Sequence, residues 1–243
     1  TGVIIGLVYG FFGDDLKIDL SKLTMIENTV IVDSNENVLA ELNGKESRKI
    51  ITLDEMSPYL PKAYIAIEDE RFYQHHGVDL KRTTAAILSF VTHFGKSTTG
   101  GGSTITQQLV KNITQDKESS GINGILRKVK EWAKAYQVEN ELSKNQILEL
   151  YLNTSYFGDG YYCVAEASRG YYKKEPKDMN RNEASMLAGI PNAPSAYCPT
   201  KHLDLAKKRQ NQVLDKMVRY EFITAKEKEE ILNESNAVED NKD

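Results

Sequence analysis

The sequence predicts a mainly α-helical domain carrying one small β-hairpin, and three observations point there. Apolar residues recur at helical spacing through most of the chain beyond residue 57. Helix-start signals, a Ser or Thr followed three residues on by Glu or Gln, stand at Ser143–Gln146 and Thr224–Glu227. Third, β-branched residues gather around a polar turn in one place only, between residues 29 and 42.

In chain order, Thr29-Val30-Ile31-Val32-Asp33 and Val38-Leu39-Ala40-Glu41-Leu42 flank Ser34-Asn35-Glu36-Asn37, a hairpin pattern. Ser57-Pro58 supplies a helix cap with proline at the first helical position, and PYLPKAYIAIEDERFY continues the periodicity as one helix. A second helix covers about 80–94, and GGSTITQQLVKN starts another at Ser103 and Thr104. RKVKEWAKAYQVENEL reads as a long amphipathic helix, and Ser143 caps NQILELYLN. SYFGDGYY is a turn, and a helix near 182–190 ends at Pro191-Asn192-Ala193-Pro194. The remainder is helical to about 233, and the acidic tail SNAVEDNKD is expected to be disordered.

The 243 residues can bury a sizeable core, with 27% charged and 40% hydrophobic residues as in ordinary globular proteins. A net charge of -4 without an arginine-rich stripe argues against nucleic acid as a partner, so an anionic ligand would need a local basic patch. The opening TGVIIGLVYGFFG is apolar and uncharged, shorter than the roughly 20 residues that span a bilayer. It reads as the remnant of a membrane anchor or as a buried terminal element. The organisation expected is therefore residues 1–13 as anchor remnant, 14–235 as the helical domain and 236–243 as the tail. Cys163 and Cys198 form no metal-ligand pattern, and both a disulfide and two free thiols stay open.

Gly95-Lys96-Ser97 invites a phosphate-loop reading. The pattern fails, because the glycine required five residues before Gly95 is Phe90, and the preceding segment is helical rather than a strand.

Three segments carry residues suited to chemistry. Glu68 and Asp69 close an apolar helix, with Ile65 and Phe72 three and four positions away on the same side and His75 and Gly77 beyond. A carboxylate against an apolar wall loses solvation of its charged form, which suits it to proton transfer; a solvated helix end is the plain alternative. Ser103, Thr104, Gln107, Gln108 and Lys111 follow three glycines, a neutral and cationic helix surface fit to grip sugar hydroxyls and a phosphate. Arg127, Lys128 and Glu131 are anion binders with a second acidic group, or a surface ion pair at i,i+4. Together they are a kit for glycosyl transfer with a phosphate leaving group.

These segments, in this order, resemble the peptidoglycan glycosyltransferases of glycosyltransferase family 51, which occur in class A penicillin-binding proteins and monofunctional transglycosylases. The resemblance runs from about Ile65 to Pro199. Glu68-Asp69 with Phe72, His75 and Gly77 matches the first motif, GGSTITQQLVKN the second, and Arg127-Lys128-x-x-Glu131 with Ala135 and Glu139 the third. ILELYLN with Gly158 and Gly160 matches the fourth, and EASMLAGIPNAPSAY the fifth. Two departures are Cys163, where glycine is usual, and Cys198, where asparagine or serine is; both lie in motif segments, which raises the possibility of a disulfide.

The resemblance implies a lysozyme-like helical fold with a membrane-proximal subregion. It also implies polymerisation of lipid II into β-1,4-linked glycan with inversion. Glu68 would be the general base and Glu131 the second essential glutamate. Lys111, Arg127 and Lys128 would hold the departing undecaprenyl diphosphate. Asp69, Phe72, His75, Ser103, Thr104, Gln108 and Asn112 map onto positions shaping the cleft. No cofactor is required; a divalent cation, Mg or Mn, assists some members, though no spacing demands one. The implied partners are lipid II, the lipid-linked glycan chain, the bacterial membrane, a moenomycin-type inhibitor and other cell-wall synthesis proteins. The implied location is the extracytoplasmic face of the cell membrane, behind a single N-terminal anchor. The Ser-x-x-Lys signature of bifunctional relatives is absent and the tail reads as a natural end, so a monofunctional enzyme is expected; a piece of a longer chain is the other reading. The competing activities are glycan cleavage by a muramidase or lytic transglycosylase, and a non-catalytic assembly module.

Overall fold

A computed structural model describes residues 13, 18, 29–32, 38–42, 50–92, 102–114, 121–236 and 238. Strands β1 (Thr29–Val32) and β2 (Val38–Leu42) pair antiparallel, with Thr29 opposite Leu42 and a register shift between Ile31 and Val32. The other described elements are helical: α1 (Tyr59–Glu68), α2 (Leu80–Thr92), α3 (Ile105–Thr114), α4 (Gly121–Glu141), α5 (Lys144–Thr154), α6 (Val164–Ala167), α7 (Arg181–Gly189), α8 (Leu203–Arg219) and α9 (Ala225–Leu232). The mainly α expectation with one hairpin therefore holds. The chain divides into two compact units, one built on Glu68–Tyr151 and the other on Ser21–Ile67 with Leu152–Asp243.

In the first unit, helix starts are set by short polar side chains. Asp79 accepts the Arg82 N–H at 3.1 Å to open α2, and is itself gripped by Arg71 through two bonds of 2.9 and 2.7 Å. Burial pushes the Asp79 carboxyl up, but the Arg82 N–H and the Arg71 guanidinium outweigh it and leave it below the ordinary range. Thr104 caps α3: its hydroxyl accepts the Gln107 N–H at 3.2 Å, while Gln107 Oε1 accepts the Thr104 N–H at 3.4 Å. Ser143 and Gln146 form the expected pair before α5. Helices α3 and α4 pack together over Ile105, Leu109, Ala135 and Val138, all buried.

Gly77 needs its missing side chain. Its φ is +82°, and a Cβ there would lie 2.8 Å from the carbonyl carbon and oxygen of Ala135 on α4. The Gly77 carbonyl accepts the Thr104 hydroxyl at 2.6 Å and Gln107 Nε2 at 3.3 Å, so the turn after α1 is pinned to the start of α3.

In the second unit α7 is buried from Asn182 to Gly189 and packs on α8. A helix buried all round must satisfy its polar groups internally. Glu183 pairs with Lys174 at 2.8 Å, and Asn182 donates to the Ile231 carbonyl at 2.7 Å while accepting from Gln210 and Asn236 at 2.8 Å. Thr224 and Glu227 cap α9 as expected.

The structure revises several sequence expectations. The helix expected through Tyr73 stops at Glu68, and Phe72 sits on a separate 3-10 turn, Phe72–Gln74, so Phe72 and Glu68 do not share one helical side. Helix α4 begins at Gly121, earlier than its motif. Residues 193–202 are irregular rather than helical. Cys163 and Cys198 are buried thiols that form no disulfide with each other. Cys163 caps α6, its sulfur accepting the Glu166 N–H at 3.5 Å, while Cys198 donates to Asp159 Oδ2 at 3.1 Å. In the tail, Asn236 and Val238 are buried. Among the described residues no helix is long and apolar enough to cross a membrane. Of the segment on which the anchor expectation rests, only Gly13 is described, and Gly95-Lys96-Ser97 lies outside the described residues.

Candidate active site

All thirteen site residues expected from the sequence lie in the Glu68–Tyr151 unit. Glu68 ends α1 with only 7% of its surface exposed. Its Oε2 accepts from Gln108 Nε2 at 2.8 Å, and the amide oxygen of Gln108 accepts the Tyr151 hydroxyl at 3.2 Å. Arg82 donates to the Glu68 carbonyl.

Asp69 is fully buried. It accepts the Ile105 N–H at 3.0 Å, at the N-terminus of α3, and His75 Nε2 at 2.9 Å. A carboxylate at a helix start satisfies an orphan donor and meets the favourable end of the helix dipole. Phe72, also fully buried, packs its ring at 6.3 Å from His75 and beneath the Lys144 ammonium at 4.5 Å. Asp69, Phe72, His75 and Thr104 thus shape the site by holding α3 and the turn before it.

One residue departs from the surface expected of it. Gln107 is buried, bonded to Gly77 and Thr104, and shares no exposed surface with Lys111. Lys128, an anion binder in the role that the resemblance implies, keeps 30% of its side chain exposed. Its ammonium donates to Ser103 Oγ at 2.7 Å, to Gln107 Oε1 at 3.2 Å and to Glu131 Oε1. An ammonium has three hydrogens, so these acceptors use them all. Burial lowers the Lys128 pKa; Glu131 opposes this, and the positive charges of Arg127 and Lys111 add to it.

Glu131 is buried on α4, with Arg127 on Oε2 at 2.8 Å and Lys128 on Oε1. Beside it opens a shallow groove lined by Val110, Lys111 and Thr114 of α3 and by Arg127, Lys130, Glu131 and Lys134 of α4. Four cations and one carboxylate line it, the local basic patch that an anionic ligand needs on a chain of net charge -4. Motif matching passes over Lys130 and Lys134. Their signal is spacing: Arg127, Lys130, Glu131 and Lys134 fall at i, i+3, i+4 and i+7, one face of a helix. Lys111 and Asn112 are exposed, and Lys111 reaches this groove.

Among the described residues no group of three or more His, Cys, Asp and Glu side chains is placed to hold a metal ion. The groove offers a cation only Glu131, whose two oxygens are already engaged.

A transglycosylase family model matches residues 35–218. The chain belongs to the transglycosylase family. It is similar to penicillin-binding protein 1F of Bacillus subtilis strain 168, with 41% identity over 92% of this chain and 30% of that protein. Penicillin-binding protein 2D of the same strain is 38% identical over 86% of this chain and 29% of its own length. Penicillin-binding protein 1A of Neisseria lactamica is 38% identical over 84% of this chain and 25% of its own. The transglycosylase chain thus spans under a third of the length of these relatives. Its match covers α1 to α5, and with them both the Glu68 end and the Glu131 groove.

Proposed function

We propose that this transglycosylase domain polymerises lipid II into β-1,4-linked peptidoglycan strands. The observation that carries the reading is the pairing, within one unit, of a buried carboxylate steadied by an amide with a groove of four cations around a second carboxylate. Glu68 takes the proton from the acceptor's 4-hydroxyl as that oxygen bonds to the donor's anomeric carbon. The bond from that carbon to the diphosphate breaks on the opposite face, which inverts the centre. Undecaprenyl diphosphate leaves with its charge met by Lys111, Arg127, Lys130 and Lys134. Glu131 spaces and orients Arg127. No step is assigned to a divalent cation.

A muramidase or lytic transglycosylase also uses a glutamate, but it releases no diphosphate and needs no such groove. Labelled lipid II separates the two: polymer formation is expected, and Glu68→Gln should slow it by about 10²–10⁴-fold. Cleavage of finished glycan without polymer would overturn the reading, and a Glu68→Gln variant as fast as wild type would remove the base assignment. The same reading places the chain at the bacterial membrane, where its lipid substrate lies. It also expects a moenomycin-type phosphoglycolipid to compete for the groove.

A further inference from the structure

We infer that Tyr151 is a positioning residue for Glu68, acting through Gln108. The inference rests on Glu68 being the base in the proposed reaction. Three elements converge: the last residue of α1, the first turns of α3 and the middle of α5. The bonds run Tyr151 OH to Gln108 Oε1 at 3.2 Å, then Gln108 Nε2 to Glu68 Oε2 at 2.8 Å.

The chemistry of an amide gives this order a purpose. A carboxylate ready to take a proton only accepts hydrogen bonds, so the amide must present its NH₂ end to Glu68. The oxygen end of the same amide then needs a donor, and the Tyr151 hydroxyl supplies one. A glutamine side chain has three rotatable bonds and loses their rotamer freedom when held, so one bond to Glu68 alone leaves it loosely placed. Tyr151 has no such freedom, being 1% exposed. Its hydroxyl fixes the far end of the amide and polarises it, strengthening the N–H that faces Glu68. Gln108, expected from the sequence as a cleft residue, thereby becomes the link between a rigid tyrosine and the base.

The test is kinetic, on the chain in detergent with lipid II. Tyr151→Phe keeps the ring and removes one oxygen. It should lower kcat about three- to tenfold with KM unchanged, and Gln108→Met, close in shape, about ten- to hundredfold. The decisive measurement is the double variant. If Tyr151 acts through Gln108, adding Tyr151→Phe to Gln108→Met costs nothing further, whereas adding it to Lys111→Ala costs its full factor. Thermal unfolding of each variant confirms that a folded enzyme is compared. A Tyr151→Phe enzyme with wild-type kcat, a change confined to KM, or multiplicative losses in the Gln108→Met background would each overturn the inference while wild-type polymerisation stands. Absence of polymerisation by wild type would instead sink the reading beneath it.

Discussion

Replacing Gly77 by alanine separates two costs that are usually merged. Gly77 sits at φ +82°, where a Cβ is strained by about 1 kcal/mol whatever surrounds it. Its Cβ would also meet the Ala135 carbonyl carbon and oxygen at 2.8 Å and the Tyr136 nitrogen at 3.1 Å. Those atoms are helix backbone and cannot swing aside, so the turn or α4 must shift, at about 1–3 kcal/mol. A shift loosens the bonds from Thr104 and Gln107 to the Gly77 carbonyl, worth about 1 kcal/mol more. The sum is about 3–5 kcal/mol. Gly160 is the control: its φ is +86°, yet nothing lies within 4 Å of its Cβ position, so Gly160→Ala should cost only about 1 kcal/mol. Urea unfolding measures both. Fluorescence of Trp132, the single tryptophan and part of α4, follows the unit containing Gly77, and circular dichroism follows the whole chain. Equal losses in the two variants, within 0.5 kcal/mol, would refute the contact argument.

Three further outcomes are expected. Because the folded Lys128 pKa lies below 10.5, the native chain holds this proton less tightly than the unfolded one, so its contribution to stability rises as pH climbs toward 10.5. The wild-type urea midpoint should gain on that of Lys128→Met between pH 7 and 10; parallel curves would contradict the burial of Lys128. Asp159 is lowered to about 2 by bonds from Lys201 and Thr200, so its contribution is present above pH 3.8 and lost as pH falls toward 2. After discounting for solvent screening, Asp159→Asn should cost about 1 kcal/mol at pH 7 and only a small fraction of that near pH 2, measured by denaturant titration at both. Finally, Lys130→Ala and Lys134→Ala should each weaken inorganic pyrophosphate binding about three- to tenfold at low salt, with the difference shrinking at 0.5 M salt; calorimetry giving wild-type affinity would remove both from the anion site.

What could be read from the sequence was whatever depends on neighbours a few positions apart. The caps at Ser143 and Thr224, the hairpin strands, and the pairing of Arg127 with Glu131 each rest on spacings of three, four or two, which the backbone period sets by itself. The ordered motifs placed the chain in its family for the same reason, since they are local strings. Tertiary structure decided what each side chain does. Asp69 accepts the N–H of Ile105 across 36 positions, just beyond the end of α1, where periodicity alone would carry the helix on. Lys128 reaches back 25 positions to Ser103. Tyr151 finds Gln108 across 43 positions. A side chain's bonds go to the partners that folding brings near, and a buried polar group must take them, so the same string of residues can be a ligand surface or a brace. In this domain Gln107 is buried as a brace, while Lys111, Arg127, Lys130 and Lys134 line the groove along α3 and α4.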